Sequence, residues 1–289
     1  MVSRVGTYIQ SLGVISRNSD IQSQMVTLQK QISSGVQFQT FKEYGSDAAR
    51  IQRFRSELAQ IDGFLRNIDL GETVIKQMDQ SMEEAEAQME NVLAAINLLP
   101  AQAGELDFTS VKTIATAAQR VLVEIMNTND GNKFLFAGSD SANPPLENFD
   151  RAEEEVKFQL ANWLDGTNGS TTMINNLNAL TDSQLGYSLG VQSAGGVQFR
   201  TDEFQEADYT IKANDDGFKK MLVGLTALSN LEFPEEGVDA ATKTDFYGVV
   251  DGFYQMINQG VVEIRESRAS LSTAALTLGD AKDRYTIAK

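Results

Sequence analysis

From Ile51 to Ile96 the chain repeats in alternating steps of three and four. One row runs Ile51, Leu58, Leu65, Glu72, Asp79, Glu86 and Leu93, and the interleaved row runs Phe54, Ile61, Ile68, Ile75, Met82, Met89 and Ile96. A period of 3.5 keeps one seam facing a partner helix along a left-handed supercoil. No proline interrupts the stretch, and Gly63 and Gly71 are its only glycines. At 1.5 Å per residue such a helix is about 70 Å long. That exceeds the diameter of a compact domain of ordinary size. The expectation is therefore a mainly α chain built as an elongated, antiparallel helical rod. One row carries acids for three heptads. A straighter helix drifts, so that Val74, Met78 and Val92 take the buried side and Glu72, Asp79 and Glu86 face solvent. The alternative is that these acids reach Arg268 or Lys282.

Composition excludes several function classes. The net charge of −16 argues against a nucleic-acid partner. Cysteine and histidine are both absent. That removes disulfides, thiolate metal sites and thiol nucleophiles, as well as the usual general base and the commonest metal ligand. No run of 18 or more apolar residues suggests membrane insertion, and Met1 to Asn18 shows no apolar core of a signal peptide. No catalytic, cofactor-binding or metal site is expected. Asn127 to Asn132 hints at calcium, but Gly131 at the sixth position of a loop would put Met126 at the first ligand.

Four segments are expected: 1–40, 41–146, 147–213 and 214–289. In the first, Val2, Val5, Ile9, Leu12 and Ile15 lie near one helix face, and Ile21, Met25, Leu28 and Ile32 continue it. Gly6, Gly13 and Asn18-Ser19-Asp20 read as interruptions. Gly35 reads as a helix terminator, Ser46 as the cap of the long helix. A second helix carries Val111, Ala115, Ala118, Val121 and Ile125. Its short connection makes it antiparallel to the first. Lys133 to Gly138 reads as a short hairpin strand. Residues 147–213 lose the helical period, and Tyr187–Val191, Gly196–Phe199 and Tyr209–Ile211 suggest a small β-rich insert anchored by Trp163. Asn168-Gly169-Ser170 fits a glycosylation sequon but reads as chance. Asp216 to Leu231 is amphipathic helix. A last long helix follows, with Tyr254, Ile257, Val261, Ile264 and Leu271 as partners for Ile51, Phe54, Leu58, Ile61, Leu65, Ile68 and Ile75. Gly252 and Gly260 should admit close neighbours within it. Deletion of the insert removes no expected coiled-coil contact, whereas residues 1–32 carry the face most in need of a partner.

Several blocks resemble a known family. Leu28 to Gly35, with Ser46-Asp47-Ala48-Ala49 opening a long helix, resembles the amino-terminal region of bacterial flagellins. Asn127 to Gly138, including Asn129, Gly131, Phe134, Leu135, Phe136 and Gly138, with Pro144-Pro145, is similar to a block of the hook-filament junction proteins. Arg265 to Leu271, centred on Arg268, is similar to the family's carboxyl-terminal arginine motif. The resemblance implies a non-enzymatic axial protein of the bacterial flagellum, without cofactors. It would be exported without a cleavable signal peptide by the flagellar type III apparatus and would join hook and filament as a ring. Its partners would be the hook-side junction protein, flagellin, further copies of itself and an export chaperone. The family's apolar terminal tail is not seen before Lys289. Filament flagellin is the alternative; a coiled-coil adhesin or an enzyme in the insert are others.

Overall fold

The computed structural model describes residues 3–35, 48–99, 105–202, 205–234 and 240–288. The chain is mainly α. In order come α1 (Ser3–Ser34), α2 (Ala48–Asn97), α3 (Glu105–Met126), α4 (Phe149–Leu164), α5 (Ser170–Asn178) and α6 (Leu189–Ser193). Strands β1 (Gln198–Arg200) and β2 (Glu206–Asp208) follow, then α7 (Asp216–Asn230) and α8 (Ala240–Ala288). The strands pair antiparallel as Gln198↔Asp208, Phe199↔Ala207 and Arg200↔Glu206. Two compact units divide at Ile61/Asp62.

In the first unit α1 is unbroken. Asn18-Ser19-Asp20 does not interrupt it, because polar residues cost a helix interior only a few tenths of a kcal/mol each. Ser11 and Thr27 donate to the carbonyls of Tyr8 and Ser23, both at 2.9 Å, and so meet their hydroxyls' needs locally. Gly35 ends the helix at φ +65°, the left-handed turn that glycine adopts without strain. The expected cap Ser46 lies outside the described residues.

The second unit is organised by α2 and α8, which pair antiparallel. The buried positions of α2 are Ile68, Gly71, Ile75, Met78, Met82, Ala85, Met89, Val92, Leu93 and Ile96, stepping three and four apart from the added Leu93. Ile68, Ile75, Met82, Met89 and Ile96 form one row as expected. The other row is Gly71, Met78, Ala85 and Val92. The acidic row lies one residue beyond it, on the flank of the seam. On α8 the seam holds Ile264, Leu271, Ala274, Leu278 and Ala281. A side chain at Gly71 would strike Leu278 and Phe199 at 2.9 Å, so the two helices approach closely there.

The solvent-facing reading of Glu72, Asp79 and Glu86 is overturned. Arg268 donates to Asp79 Oδ1 at 2.8 Å through Nε and to Glu86 Oε2 at 2.9 Å through Nη1. Arg265 also donates to Glu86 and, at 2.6 Å, to Glu90. Lys282 Nζ donates to Glu72 Oε2 at 2.6 Å and pairs with Asp69 at 2.9 Å. These acids sit where flanking positions of antiparallel coils meet, and unlike charges there select partner and orientation. The Glu86 side chain is only 14% exposed. Burial pushes its carboxyl upward, yet the hydrogen bonds from Arg265 and Arg268 outweigh that and hold it below the ordinary 4.5.

The insert is not β-rich. α4, α5 and α6 account for most of 147–197, and Tyr187–Val191 is a bridge running into α6 rather than a strand. The loss of a long helical period reflects short helices in a dense core, where periodicity has too few turns to register. Val156, Leu160, Met173 and Leu177 join the core of α7 and α8, so the insert shares that core. Trp163 is half-buried and donates to Asp245 Oδ2 at 2.9 Å. Phe108, Phe233 and Phe246 form an aromatic knot, with Phe108 and Phe246 edge-on at 5.0 Å.

α7 and α8 touch through glycine. A side chain at Gly260 would meet Met221 Cγ at 2.7 Å and the Gly217 carbonyl at 2.8 Å, and one at Gly252 would meet Ile174 at 2.3 Å. Both glycines admit the close neighbours expected of them.

Two outcomes follow for stability. Gly260→Val should cost about 3 kcal/mol by overpacking a backbone crossing, whereas Gly63→Ala, in open space on α2, should be neutral or gain up to about 1 kcal/mol. Thermal melts of the two variants check the difference. Glu86→Gln should lower stability near pH 7 by about 1 kcal/mol or somewhat more. Because the folded carboxyl titrates below 4.5, its contribution is present above that value and fades as pH falls through the lower folded one. Urea titrations should therefore show wild type and variant converging toward pH 3. A gap that persists there refutes the ladder's role.

Candidate assembly surface

The Asn127–Gly138 block is a latch between helices. It follows α3 directly, and Asn127 clamps the returning chain: its Nδ2 donates to the Leu146 carbonyl at 2.9 Å and its Oδ1 accepts from the Leu146 amide at 3.0 Å. Asn129 and Asp130 make side-chain turns with the backbone, Asn129 accepting from Gly131 N and Asp130 from Asn132 N and Lys133 N. Those donated amides hold the Asp130 carboxyl below its ordinary range. Gly131 turns at φ +98°. The expected strand over Lys133–Gly138 is a series of turns with a single bridge, Asn129↔Phe134, because Phe134 N donates instead to the Ser141 carbonyl at 2.9 Å.

The apolar residues of the block point inward. Leu135 and Phe136 are buried, and Phe136 meets Phe218 of α7 edge-on at 5.2 Å. The Ala213 amide donates to the Phe136 carbonyl at 2.8 Å. Gly138 turns at φ +61° with Ala194 and the Gly195 carbonyl about 3 Å from where a side chain would start. Thus Leu135, Phe136 and Gly138 serve to fasten the insert and α7 together, and Asn129 and Gly131 shape the turn above them. A hollow of about 570 Å³ lies beside the block, lined by Leu70, Val74, Phe134, Phe199 and Tyr209 among others. Phe199 and Tyr209 stack across its wall at 4.3 Å.

A second polar cluster secures the insert. Asp182 accepts from Asn214 Nδ2 at 2.7 Å and pairs with Lys219 of α7 at 2.7 Å. Tyr187 is buried beside it, and burial together with Asp182 and Asp215 raises its phenol well above the ordinary range. Among the described residues no three acids converge where a metal ion could be held.

Among the described residues, α1 exposes many of its large apolar side chains. Ile9, Leu12 and Ile15 are exposed, as are Ile21, Met25, Leu28 and Ile32, the last at 82%. Val5 lies on α1, and Val2 lies outside the described residues. Farther along, Phe54 and Leu58 of the expected seam are also exposed, and Ile51, Ile61 and Leu65 are half-buried. Ile68 and Ile75 are buried in α2, and Ile257, Val261, Ile264 and Leu271 in α8, with Tyr254 half-buried beside them. The Tyr254 hydroxyl lies 3.4 Å from Asn97 Nδ2. Arg268 stands in the ionic ladder. Scattered single apolar residues on a surface are ordinary, but a 32-residue helix exposing this many is not.

Residues 5–141 match a family profile described as the bacterial flagellin N-terminal helical region. Among solved structures, a protein of Vibrio parahaemolyticus provisionally assigned as a flagellar hook-associated protein has a similar fold. The TM-score is 0.52 at 10% sequence identity, covering 86% of this chain and 98% of that one. No curated protein sequence is recognisably similar. Among the described residues no helix is long and apolar enough to cross a membrane. The profile match takes in most of α1, all of α2 and α3, and the latch: over these residues the chain carries a helical region similar to the amino-terminal region of bacterial flagellins.

Proposed function

We propose that this chain is an axial subunit that joins hook and filament, assembling as a ring after export through the flagellar type III apparatus. The observation that carries the reading is α1, a continuous helix whose large apolar residues stand in solvent. Such a helix gains stability by packing, not from its own propensity, and neighbouring subunits supply that packing. Assignment to the junction rests on the block Phe134-Leu135-Phe136-Ala137-Gly138. The partners in this reading are the hook-side junction protein, flagellin, further copies of the chain and an export chaperone. Filament flagellin is the second reading, favoured by the match over residues 5–141.

Immunogold labelling of intact flagella separates the two. A single labelled band between hook and filament is expected; label along the whole filament would replace the junction reading with the filament one. In cells making only a chain without residues 1–32, secreted subunits should accumulate unattached, and normal filaments in those cells would contradict the assignment of assembly to α1.

A further inference from the structure

We infer that Asn168 is a site of spontaneous covalent modification: its side chain condenses with the Gly169 amide, and the product opens as aspartate or isoaspartate. The chain holds one Asn-Gly pair, and it falls in the turn between α4 and α5. Up to Asn168 that turn is well fixed. Asp165 N and Gly166 N donate to the carbonyls of Ala161 and Trp163 at 2.9 and 3.1 Å, and Gly166 turns left-handed at φ +79°. Asn168 N then reaches back to the Asn162 carbonyl at 2.8 Å, the long bond with which a glycine-ended helix closes.

The fixing stops there. Among the described residues neither the Asn168 side-chain amide nor the Gly169 N–H has a hydrogen-bond partner. Gly169 is exposed at φ −74° and ψ 161°, and nothing lies within 4 Å of where a side chain would start. The Asn168–Gly169 peptide is therefore able to rotate until Gly169 N meets Asn168 Cγ, a movement that a Cβ would hinder. Other asparagines are held in place: Asn127 by Leu146, Asn143 by Asp140 and Asn176 by Gln159.

The chemistry balances with water as its only co-reactant. Gly169 N bonds to Cγ of Asn168, and Nδ2 leaves as ammonia with the proton that Gly169 loses. A five-membered imide remains. Water attacking the former side-chain carbonyl leaves aspartate. Water attacking the main-chain carbonyl leaves isoaspartate, in which the chain runs through the old side chain and is one carbon longer. The two products act differently on α5. Aspartate sets an acid beside a helix start whose cap, Gly169, supplies no side chain, and a negative charge is favourable there. Isoaspartate lengthens the chain between two anchors, the Asn162 carbonyl and the Gly169 carbonyl, which accepts from Met173 N at 3.0 Å. Met173 and Leu177 are buried and Ile174 lies over Gly252 of α8, so isoaspartate loosens α5 from that core. The inference is independent of how the chain assembles.

The test is to age the purified full chain at neutral and at mildly alkaline pH, and in urea, alongside Gly169→Ala and Asn168→Asp. Peptide mass spectrometry follows the exchange of amide for acid at each asparagine, and enzymatic methyl transfer reports isoaspartate. Asn168 should convert ahead of every other asparagine, faster at alkaline pH, where more of the attacking amide is deprotonated, and at nearly the rate seen in urea. Gly169→Ala, placed in open space, should melt like wild type and convert several-fold more slowly. Hydrogen exchange in α5 should quicken in the aged chain and not in Asn168→Asp. An Asn168 that converts in urea but not in the native chain would mean that the folded turn blocks the reaction, and would overturn the inference. So would equal rates in wild type and Gly169→Ala. Conversion to aspartate alone, with α5 exchanging as in Asn168→Asp, would overturn the isoaspartate branch.

Discussion

Everything in the second unit depends on the register in which α2 meets α8. Two helices with heptad seams can slide past each other by seven residues and bury nearly the same apolar area, so hydrophobicity alone leaves the pairing ambiguous. The charges remove the ambiguity. Arg268 faces Glu86 and Lys282 faces Glu72. A one-heptad slide in one direction sets Arg268 against Leu93, and in the other direction sets Lys282 against Leu65. The observed register gives Arg268 both Asp79 and Glu86 and Lys282 both Glu72 and Asp69, whereas either slide sets a leucine where one cation now has an acid, and it also brings Gly71 beside Leu278. Individually these ion pairs, Lys282–Glu72 more exposed than Arg268–Glu86, contribute modestly. Their weight lies in the difference between registers, where a lost partner is a penalty and not merely a missing gain.

With that pair fixed, the remaining elements have little freedom. α7 lies against α8 through Gly217, Gly224 and Gly260, and α3 is tied to α7 by the buried Gln119–Thr226 hydrogen bond at 2.8 Å. The latch after α3 then sets where the insert begins, through Asn127 and Phe136. The Asn127–Gly138 block is thus a structural fastening: its Phe136 is packed against Phe218 of α7. A chain lacking 147–213 would uncover Phe218, Leu222 and their neighbours on α7, so the insert is a part of the core and its removal is not the neutral change that the helical seams alone suggest.

The long helices were legible because a sustained 3.5 period has one reading, and the row Ile68–Ile96 is buried as that period requires. The acids were harder. Glu72, Asp79 and Glu86 fall one residue beyond the second buried row, and a flanking position looks alike in sequence whether it faces water or a partner's Arg268. The decisive signal was the matching interval of fourteen between Arg268 and Lys282 and between Glu86 and Glu72. The insert was misread because α4, α5 and α6 are short and rich in Asn, Ser, Thr and Gly, residues whose local preferences favour turns. Tertiary packing of Val156, Leu160, Met173 and Leu177 overrides those preferences. Nothing in the Phe134–Gly138 spelling separates a strand from tight turns, since the Phe134 amide's partner, Ser141, sits seven residues on.

The most direct test of the register is a double-mutant cycle on Arg268 and Glu86, using Arg268→Met and Glu86→Gln singly and together in urea titrations at pH 7. The two side chains are largely sheltered and joined at 2.9 Å. A coupling of about 1–2 kcal/mol is the expected result, with Arg268 and Asp69 as a control pair that should show essentially none. Additive losses for Arg268 and Glu86, or equal coupling in the control pair, would mean that α2 and α8 meet in another register.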